Sequence, residues 1–376
     1  MKNRILSLCS KFYWKVRFAI QKRVQYNYYL GVFDTISKIK DIKTNFLTKK
    51  QNLEIDNFYK RYCGTKVPYM WHNLMVSYNN KFDVRYLPPK IFLEIIDKLN
   101  SQDIKYFVFY DKNFLYNFVT RKNIKVPKRL FYSVNGLFFN SNDDIISKED
   151  LCKQLSNIGE VFIKPTKLSN SGYSQNCRLI NVSDGTDTYS NMNIKDMLEQ
   201  YYNNDFVVQE KVACHKSISD IYSKSVNTFS LYSIILNNDI KIINKPIFKI
   251  GMNGNITDYS GVKTDGLIIA MTDDGMLHDS ALCVKQNKWY TSHPDTKFVF
   301  KDYKIENFHK VLESVKKLHS CIPWLKFCKW DVTIDIDGEP VLVELERPSE
   351  LFPQQVLYKE GIFGEYTEEL LSLLKK

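Results

Sequence analysis

Glycine is scarce in this chain, at 14 of 376 residues, about half the usual share of roughly 7%. No familiar glycine-rich phosphate loop stands in it, and G-x-x-x-x-G-K-[ST] is missing. The eight cysteines are scattered and no two form C-x-x-C, which excludes zinc-ribbon spacing. Dispersed through a long chain, they fit reduced thiols better than a disulfide framework. The six histidines contain no H-E-x-x-H. Apolar runs such as Leu267 to Met271 fall far short of the roughly 18 residues of a membrane span. Polar and aromatic residues break any apolar region near the start, so no signal peptide is expected. There is no Gly-X-Y period, heptad array or repeat, which excludes fibrous and repeat classes.

The composition that is there, 44% apolar and 25% charged, excludes a disordered chain. The length predicts two or three lobes. The net charge is +11, and its distribution is uneven. Residues 1–50 hold 12 Lys/Arg against only Asp34 and Asp41, so they carry +10 of it. Ile5, Leu8, Phe12, Val16 and Ile20 recur there at helical spacing with basic residues between. Such a helix would either dock on an anionic membrane surface or pack on its own protein with a solvated basic face. The charge and the 24 Tyr and 24 Phe raise nucleic acid as a partner. No glycine-aromatic RNA motif or helix-turn-helix pattern supports it, so no nucleic-acid partner is expected.

Residues 1–85 read as a basic, mainly helical extension. Pro88-Pro89 breaks the chain, and a helix is predicted from Ile91 to Asn100 and a buried strand from Ile104 to Tyr110. Asp111-Lys112 opens a helix ending near Asn123, and Val126-Pro127 starts an extended piece. Ser147 with Asp150 three residues on is a capping arrangement for another helix. A short strand is expected at Glu160 to Lys164, a loop at Val182 to Ser190, a helix at Ile194 to Tyr202 and a strand at Phe206 to Val212. Strands follow at Thr228 to Leu236, Ile240 to Ile250 and Leu267 to Met271, then a helix at Ile305 to Leu318. Asp337-Gly338 between Trp330 to Ile336 and Pro340 to Glu346 is a hairpin signal. A helix at Tyr366 to Leu374 closes the chain. Helices and strands mix without strict alternation, which argues for an α+β fold.

Three constellations carry chemistry. Val161 to Pro165 puts Lys164 at the end of a buried strand, followed by Ser169, Asn170, Ser171 and Gly172. An ammonium beside a turn of small residues suits a phosphate. On the hairpin, Glu344 and Glu346 share a strand face and Asp331 can lie beside them. Three carboxylates on one face repel unless a cation sits among them, and hard oxygen ligands of this kind suit Mg²⁺. The alternative is a solvated hairpin face. The third is Phe206 to Val212, a strand running from apolar to polar, which can offer backbone groups to an adenine edge or simply form a sheet edge.

In this order the set resembles the ATP-grasp superfamily, and more narrowly the sugar-transfer-associated ATP-grasp proteins of surface-polysaccharide biosynthesis. The narrower likeness rests on Asp111-Lys112 ahead of Val126-Pro127, Ser225-Val226-Asn227-Thr228, His293-Pro294-Asp295-Thr296, Trp330-Asp331, and Glu344-x-Glu346 with Gln354. It runs from about residue 86 to 355. The resemblance implies an ATP-grasp fold with nucleotide between two α+β lobes: an N-terminal lobe (86–145), an ATP-binding lobe (146–212) and a C-terminal catalytic lobe (213–376). It gives Lys112 and Lys164 to the ATP phosphates, as catalytic residues together with Arg347. Ser169, Asn170, Ser171 and Gly172 would close over the phosphates. Gln209, Glu210, Lys211 and Val212 would hold adenine, with His215 near the ribose. Asp331, Glu344 and Glu346 would ligate two Mg²⁺ ions.

Three departures from the family pattern stand out. The last metal ligand is usually Asn, and here it is Glu346. The arginine commonly found after Val-Asn-Thr is replaced at Phe229-Ser230. The phosphate loop is poor in glycine. Five glycines, Gly251, Gly254, Gly261, Gly266 and Gly275, instead cluster in a segment that the resemblance puts on the substrate side. A set of hairpin turns is the other reading. The implied activity is an ATP-dependent carboxylate–amine ligase working through an acylphosphate. Its substrates would be a sugar acid or glycan precursor and an amino acid or other amine, in a cytoplasmic enzyme, peripheral at the inner membrane face. The alternatives are an amino acid activated and joined to an amino sugar, or a non-catalytic nucleotide-binding partner of a glycosyltransferase complex.

Overall fold

The computed structural model describes residues 27, 31, 34–38, 46–100, 108–166, 177–202, 205–258, 261, 264–348 and 351–375. The helix expected at Ile5 to Ile20, the loop Ser169 to Gly172 and most of the strand expected at Ile104 to Tyr110 lie outside these residues. No helix among the described residues is long and apolar enough to cross a membrane.

Two antiparallel sheets organise the described residues. The first has the order β3-β2-β1-β8-β4-β5-β6-β7. Its strands are β1 (Arg129–Val134), β2 (Leu137–Asn140), β3 (Ile145–Ile146), β4 (Glu160–Pro165), β5 (Arg178–Ser183), β6 (Thr186–Asp187), β7 (Met192–Asn193) and β8 (Phe206–Gln209). The second runs β13-β12-β11-β10-β9-β14-β15. It comprises β9 (Thr228–Leu236), β10 (Asp239–Gly251), β11 (Gly266–Ala270), β12 (Ala281–Cys283), β13 (Lys288–Tyr290), β14 (Phe327–Ile334) and β15 (Pro340–Glu346).

Helices cover these sheets. They are α1 (Lys49–Cys63), α2 (Met70–Asn79), α3 (Pro89–Leu99), α4 (Lys112–Thr120), α5 (Lys148–Leu155), α6 (Ile194–Tyr201), α7 (Lys216–Ser219), α8 (Phe308–Cys321), α9 (Phe352–Tyr358) and α10 (Thr367–Ser372). On the first sheet, Phe131, Ile163, Ile180 and Val208 bury against Leu151, Leu155, Met197 and Leu198 of α5 and α6. Alternation leaves the opposite face, with Lys164, Val207 and Gln209, away from that core. The second sheet is covered on both faces. Phe229, Leu231, Phe248 and Trp330 pack with Val311, Val315 and Leu318 of α8. Tyr232, Ile234, Ile247 and Phe327 pack with α1, α2, α3, α9 and α10 through residues such as Tyr59, Leu74, Phe92, Val356 and Leu370. The described part of the 1–85 extension is therefore built into this core.

Local signals account for several boundaries. Ser147 Oγ accepts the Asp150 N–H at 3.0 Å and caps α5. Asp111 caps α4 by accepting the Phe114 N–H at 3.1 Å. The β14–β15 turn places Gly338 at φ 78°, the left-handed region that glycine adopts without steric cost. Two expectations change. Val108 to Tyr110 form a 3-10 turn in place of a strand end, closed by the Asp111 N–H on Val108 O at 3.1 Å. Within the loop expected at Val182 to Ser190, Val182 and Ser183 end β5 and Thr186–Asp187 form β6, and Asp187 accepts the Asn181 N–H at 3.0 Å.

Candidate active site

Helix α4 stands between the two sheets and is fastened to the first. The Lys112 N–H donates to Thr166 O at 3.0 Å, and Thr166 Oγ1 donates to Asp111 at 3.0 Å. Lys112 and Tyr116 are four residues apart, so they share a helix face. That face meets β15. Lys112 Nζ donates to Glu344 Oε1 at 2.6 Å, and Tyr116 OH donates to Val343 O at 2.8 Å. Lys164 Nζ reaches the same tyrosine, 3.5 Å from its hydroxyl. Burial pushes the Lys164 pKa down, against the pull of Cys177 and Glu344. The two lysines expected at phosphate thus both lie near Tyr116.

Register places the strand expected at adenine. Lys164 pairs with Val207 across β4 and β8, so Gln209, two residues on, lies on the Lys164 face. Gln209 Oε1 is buried and has no hydrogen-bond partner. Glu210 is tied to Lys128 through its N–H at 3.0 Å and its carboxylate at 2.7 Å. Lys211 donates to Ser223 O at 3.5 Å, and Val212 is half-buried. His215 caps α7, its Nδ1 lying 2.9 Å from Ser217 Oγ. Arg347 follows β15 and lies within electrostatic reach of Tyr110.

The carboxylates share one corner of the second sheet. Asp331 pairs with Glu344, and Lys329 pairs with Glu346, ahead of a bulge at Asp331/Val332. All four side chains are on one face. Lys249 Nζ reaches Asp331 Oδ2 at 2.5 Å from β10, two strands away. Asp258 lies 3.9 Å from Lys249 and accepts from Thr228 Oγ1 at 2.5 Å. Lys329 donates to Glu346. Burial raises the Asp331 pKa, outweighing Lys249. Burial also opposes ionisation of Glu346, but Lys329 and Lys249 hold its pKa below the usual carboxylate range. Burial pulls the Lys249 pKa down, yet Asp258, Asp331 and Glu346 together keep it raised.

Among the described residues, no three acidic, histidine or cysteine side chains are placed to hold a metal ion. The donor chemistry nevertheless fits Mg²⁺. Asp331 Oδ1 is buried without a hydrogen-bond partner, and its neighbours are hard oxygen donors. Each carboxylate is held by a lysine, which supplies positive charge that adjacent carboxylates on one face require.

The structure adds Lys249, Lys329, Asp258 and Tyr116 to the residues expected from sequence. Lys329 had a signal, since Lys329, Asp331 and Thr333 alternate with apolar residues in β14. Lys249 reads only as an interruption of Pro246 to Ile250. Its partner lies 82 residues away.

Two antiparallel sheets, with Lys112 and Lys164 brought near Glu344 of the second, make an α+β fold of the ATP-grasp type. The family model described as sugar-transfer associated ATP-grasp matches residues 93–369, and the chain belongs to that family. None of the curated proteins matches it. Among solved structures it is similar to the VanG D-Ala:D-Ser ligase from Enterococcus faecalis, at 12% identity and TM-score 0.42, covering 71% of this chain and 61% of that one. D-alanyl-alanine synthetase A from Vibrio cholerae gives 14% identity and TM-score 0.41, over 70% of this chain and 65% of the other. The ATP-grasp ligase PsnB, in complex with minimal precursor, Mg and ADP, gives 12% identity and TM-score 0.40, over 74% and 62%. The chain therefore spans less than two-thirds of the length of these ligases.

Proposed function

We propose that the chain is an ATP-dependent carboxylate–amine ligase. A substrate carboxylate oxygen attacks the γ-phosphorus of ATP, ADP leaves, and an acylphosphate forms. The amine then attacks the acyl carbon, phosphate leaves with the C–O bond pair, and the nitrogen gives up a proton as the amide forms. The observation that carries this reading is the Lys112–Glu344 contact at 2.6 Å, which joins the phosphate-side helix to the carboxylate corner.

Lys112 and Lys164 would bind the phosphoryl oxygens, and preorganised ammoniums stabilise charge where it develops. Arg347 would add a further catalytic cation. Gln209 to Val212 would take adenine, supported by the bare Gln209 Oε1, and His215 would lie near the ribose. Ser169, Asn170, Ser171 and Gly172 would cover the phosphates and keep water from the acylphosphate. Asp331, Glu344 and Glu346 would hold Mg²⁺, as two ions, which when bound supplies charge neutralisation for the phosphoryl group. We assign the acid to a uronic acid or glycan precursor and the amine to an amino acid or other amine. The setting is capsular or surface polysaccharide synthesis at the cytoplasmic membrane face.

ADP release should be measured with a panel of sugar acids and amines. Turnover should require one of each, and Lys164→Ala and Glu344→Ala should abolish it in folded protein. Retained turnover in both variants would refute the assigned roles. Tight Mg·ATP binding with no turnover across the panel would favour a non-catalytic partner.

A further inference from the structure

Three carboxylates and three ammoniums meet at one corner of the second sheet. Lys249 donates to Asp331 at 2.5 Å, Lys112 to Glu344 at 2.6 Å, and Lys329 to Glu346. Lys112 and Lys249 are 7% exposed and Lys329 is 3% exposed. The corner is formally neutral. Asp258 beside Lys249, and Lys164, which interacts electrostatically with Glu344, add one charge of each sign. The lysines come from β10, α4 and β14, so no single hinge motion withdraws them together.

This balance bears on how a divalent cation enters. A neutral corner offers no excess negative charge to attract a free ion. An ion arriving alone would take carboxylate oxygens and leave buried ammoniums unpaired, which is strongly unfavourable. A polyphosphate removes that obstacle, because its oxygens accept from the displaced lysines. We infer that this corner admits a divalent cation only together with a polyphosphate, and that the three lysines are what keeps the free ion out. The inference rests on the nucleotide-site reading above and adds to it an order of entry.

The test uses the full chain and Mn²⁺, with free ion followed by electron paramagnetic resonance, alone and with the ATP analogue AMP-PNP. Wild-type protein should take up Mn²⁺ with AMP-PNP at least roughly 100-fold more tightly than Mn²⁺ alone, at the upper end of ordinary coupling between sites. Lys329→Met leaves the corner net negative. It should bind Mn²⁺ alone roughly tenfold or more tightly than wild type, as one unit charge acting on a divalent ion at short range implies. Adding Glu346→Gln to that variant should abolish the gain. Lys112→Met repeats the test on a second ammonium at the sheet boundary, and circular dichroism reports which variants are folded. Wild-type protein binding Mn²⁺ alone as tightly as with AMP-PNP would overturn the inference. So would folded lysine variants that bind the free ion no better than wild type. No uptake of Mn²⁺ with AMP-PNP by wild type would instead sink the nucleotide-site reading, and this inference with it.

Discussion

The two oxygens of Asp331 have different surroundings: Oδ2 accepts from Lys249 at 2.5 Å, while Oδ1 is buried with no partner. The difference follows from strand order. Lys249 pairs with Thr228, and Asp331 pairs with Ser230, both on β9. The Lys249 side chain must therefore cross β9 on the face where Ser230 sits. A long side chain at 230 would occupy that path, so the small serine there and the lysine at 249 belong together. Neither can be understood from its own sequence neighbours. His72 makes a prediction at the same scale. It is fully buried, with Nε2 3.1 Å from Val84 O, and burial pushes its pKa down to about 4. The folded state then binds its proton more weakly than the unfolded state does. Its contribution, about 3 kcal/mol, is complete above the unfolded pKa near 6.5 and is lost as pH falls toward 4. The imidazole resonances of His72 should stay unchanged between pH 8 and about 5.5 in NMR spectra. A midpoint near the ordinary histidine value would remove this source of acid lability.

At the scale of elements, the hairpin was the most legible part of the chain. Asp337-Gly338 fixes the turn, and alternation puts Lys329 and Asp331 on the face of Glu344 and Glu346. The observed β15 coincides with its expected span, as does β9. What stayed hidden was pairing between distant elements, such as β10 through β9 to β14, because local periodicity carries no information on sheet order. Short strands such as β6 and β7 were hidden for another reason: two residues give no period to read. The glycine cluster is explained partly by turns and partly by space. Gly254, Gly261 and Gly275 have φ of 76°, 81° and 94°. Gly251 ends β10 opposite Gly266, and a Cβ there would lie 2.8 Å from Thr257 O and 2.5 Å from Ser225 Oγ. Gly251→Ala should push away the segment that carries Asp258 and destabilise the fold by about 1–3 kcal/mol, as overpacking does. Urea unfolding would measure it, and a midpoint equal to wild type would show that the segment yields freely.

Taken whole, the candidate site lies at the polar end of a sheet face whose other end is an apolar core. Helices α1 and α2 contribute Ile55, Tyr59, Trp71, Leu74, Met75 and Tyr78 to that core, alongside Tyr232, Ile234 and Phe327 of the second sheet. Hydrogen bonds stitch the following segment to distant parts. The Leu87 N–H donates to Gln355 Oε1 at 2.6 Å, and Asn100 exchanges bonds with the backbone of Phe327 at 2.8 and 2.9 Å. Gly361 packs so closely on Arg85 O that a Cβ would come within 2.3 Å of it. Composition marks residues 1–50 as a charged extension, but composition does not report what the helices after it cover. Deleting residues 1–85 would remove these six side chains from the core and uncover α9 and α10, against which α2 and α1 pack. At about 1.5–3 kcal/mol per fully buried large apolar side chain, the loss is on the order of 10 kcal/mol. That matches the entire stability of a typical domain, roughly 5–15 kcal/mol. A chain of residues 86–376 should therefore lack a cooperative thermal transition and bind a hydrophobic dye, whereas the full chain should unfold in a sharp transition. A sharp transition in the shortened chain near the wild-type temperature would mean that the ATP-grasp region folds without the helices that cover its sheet.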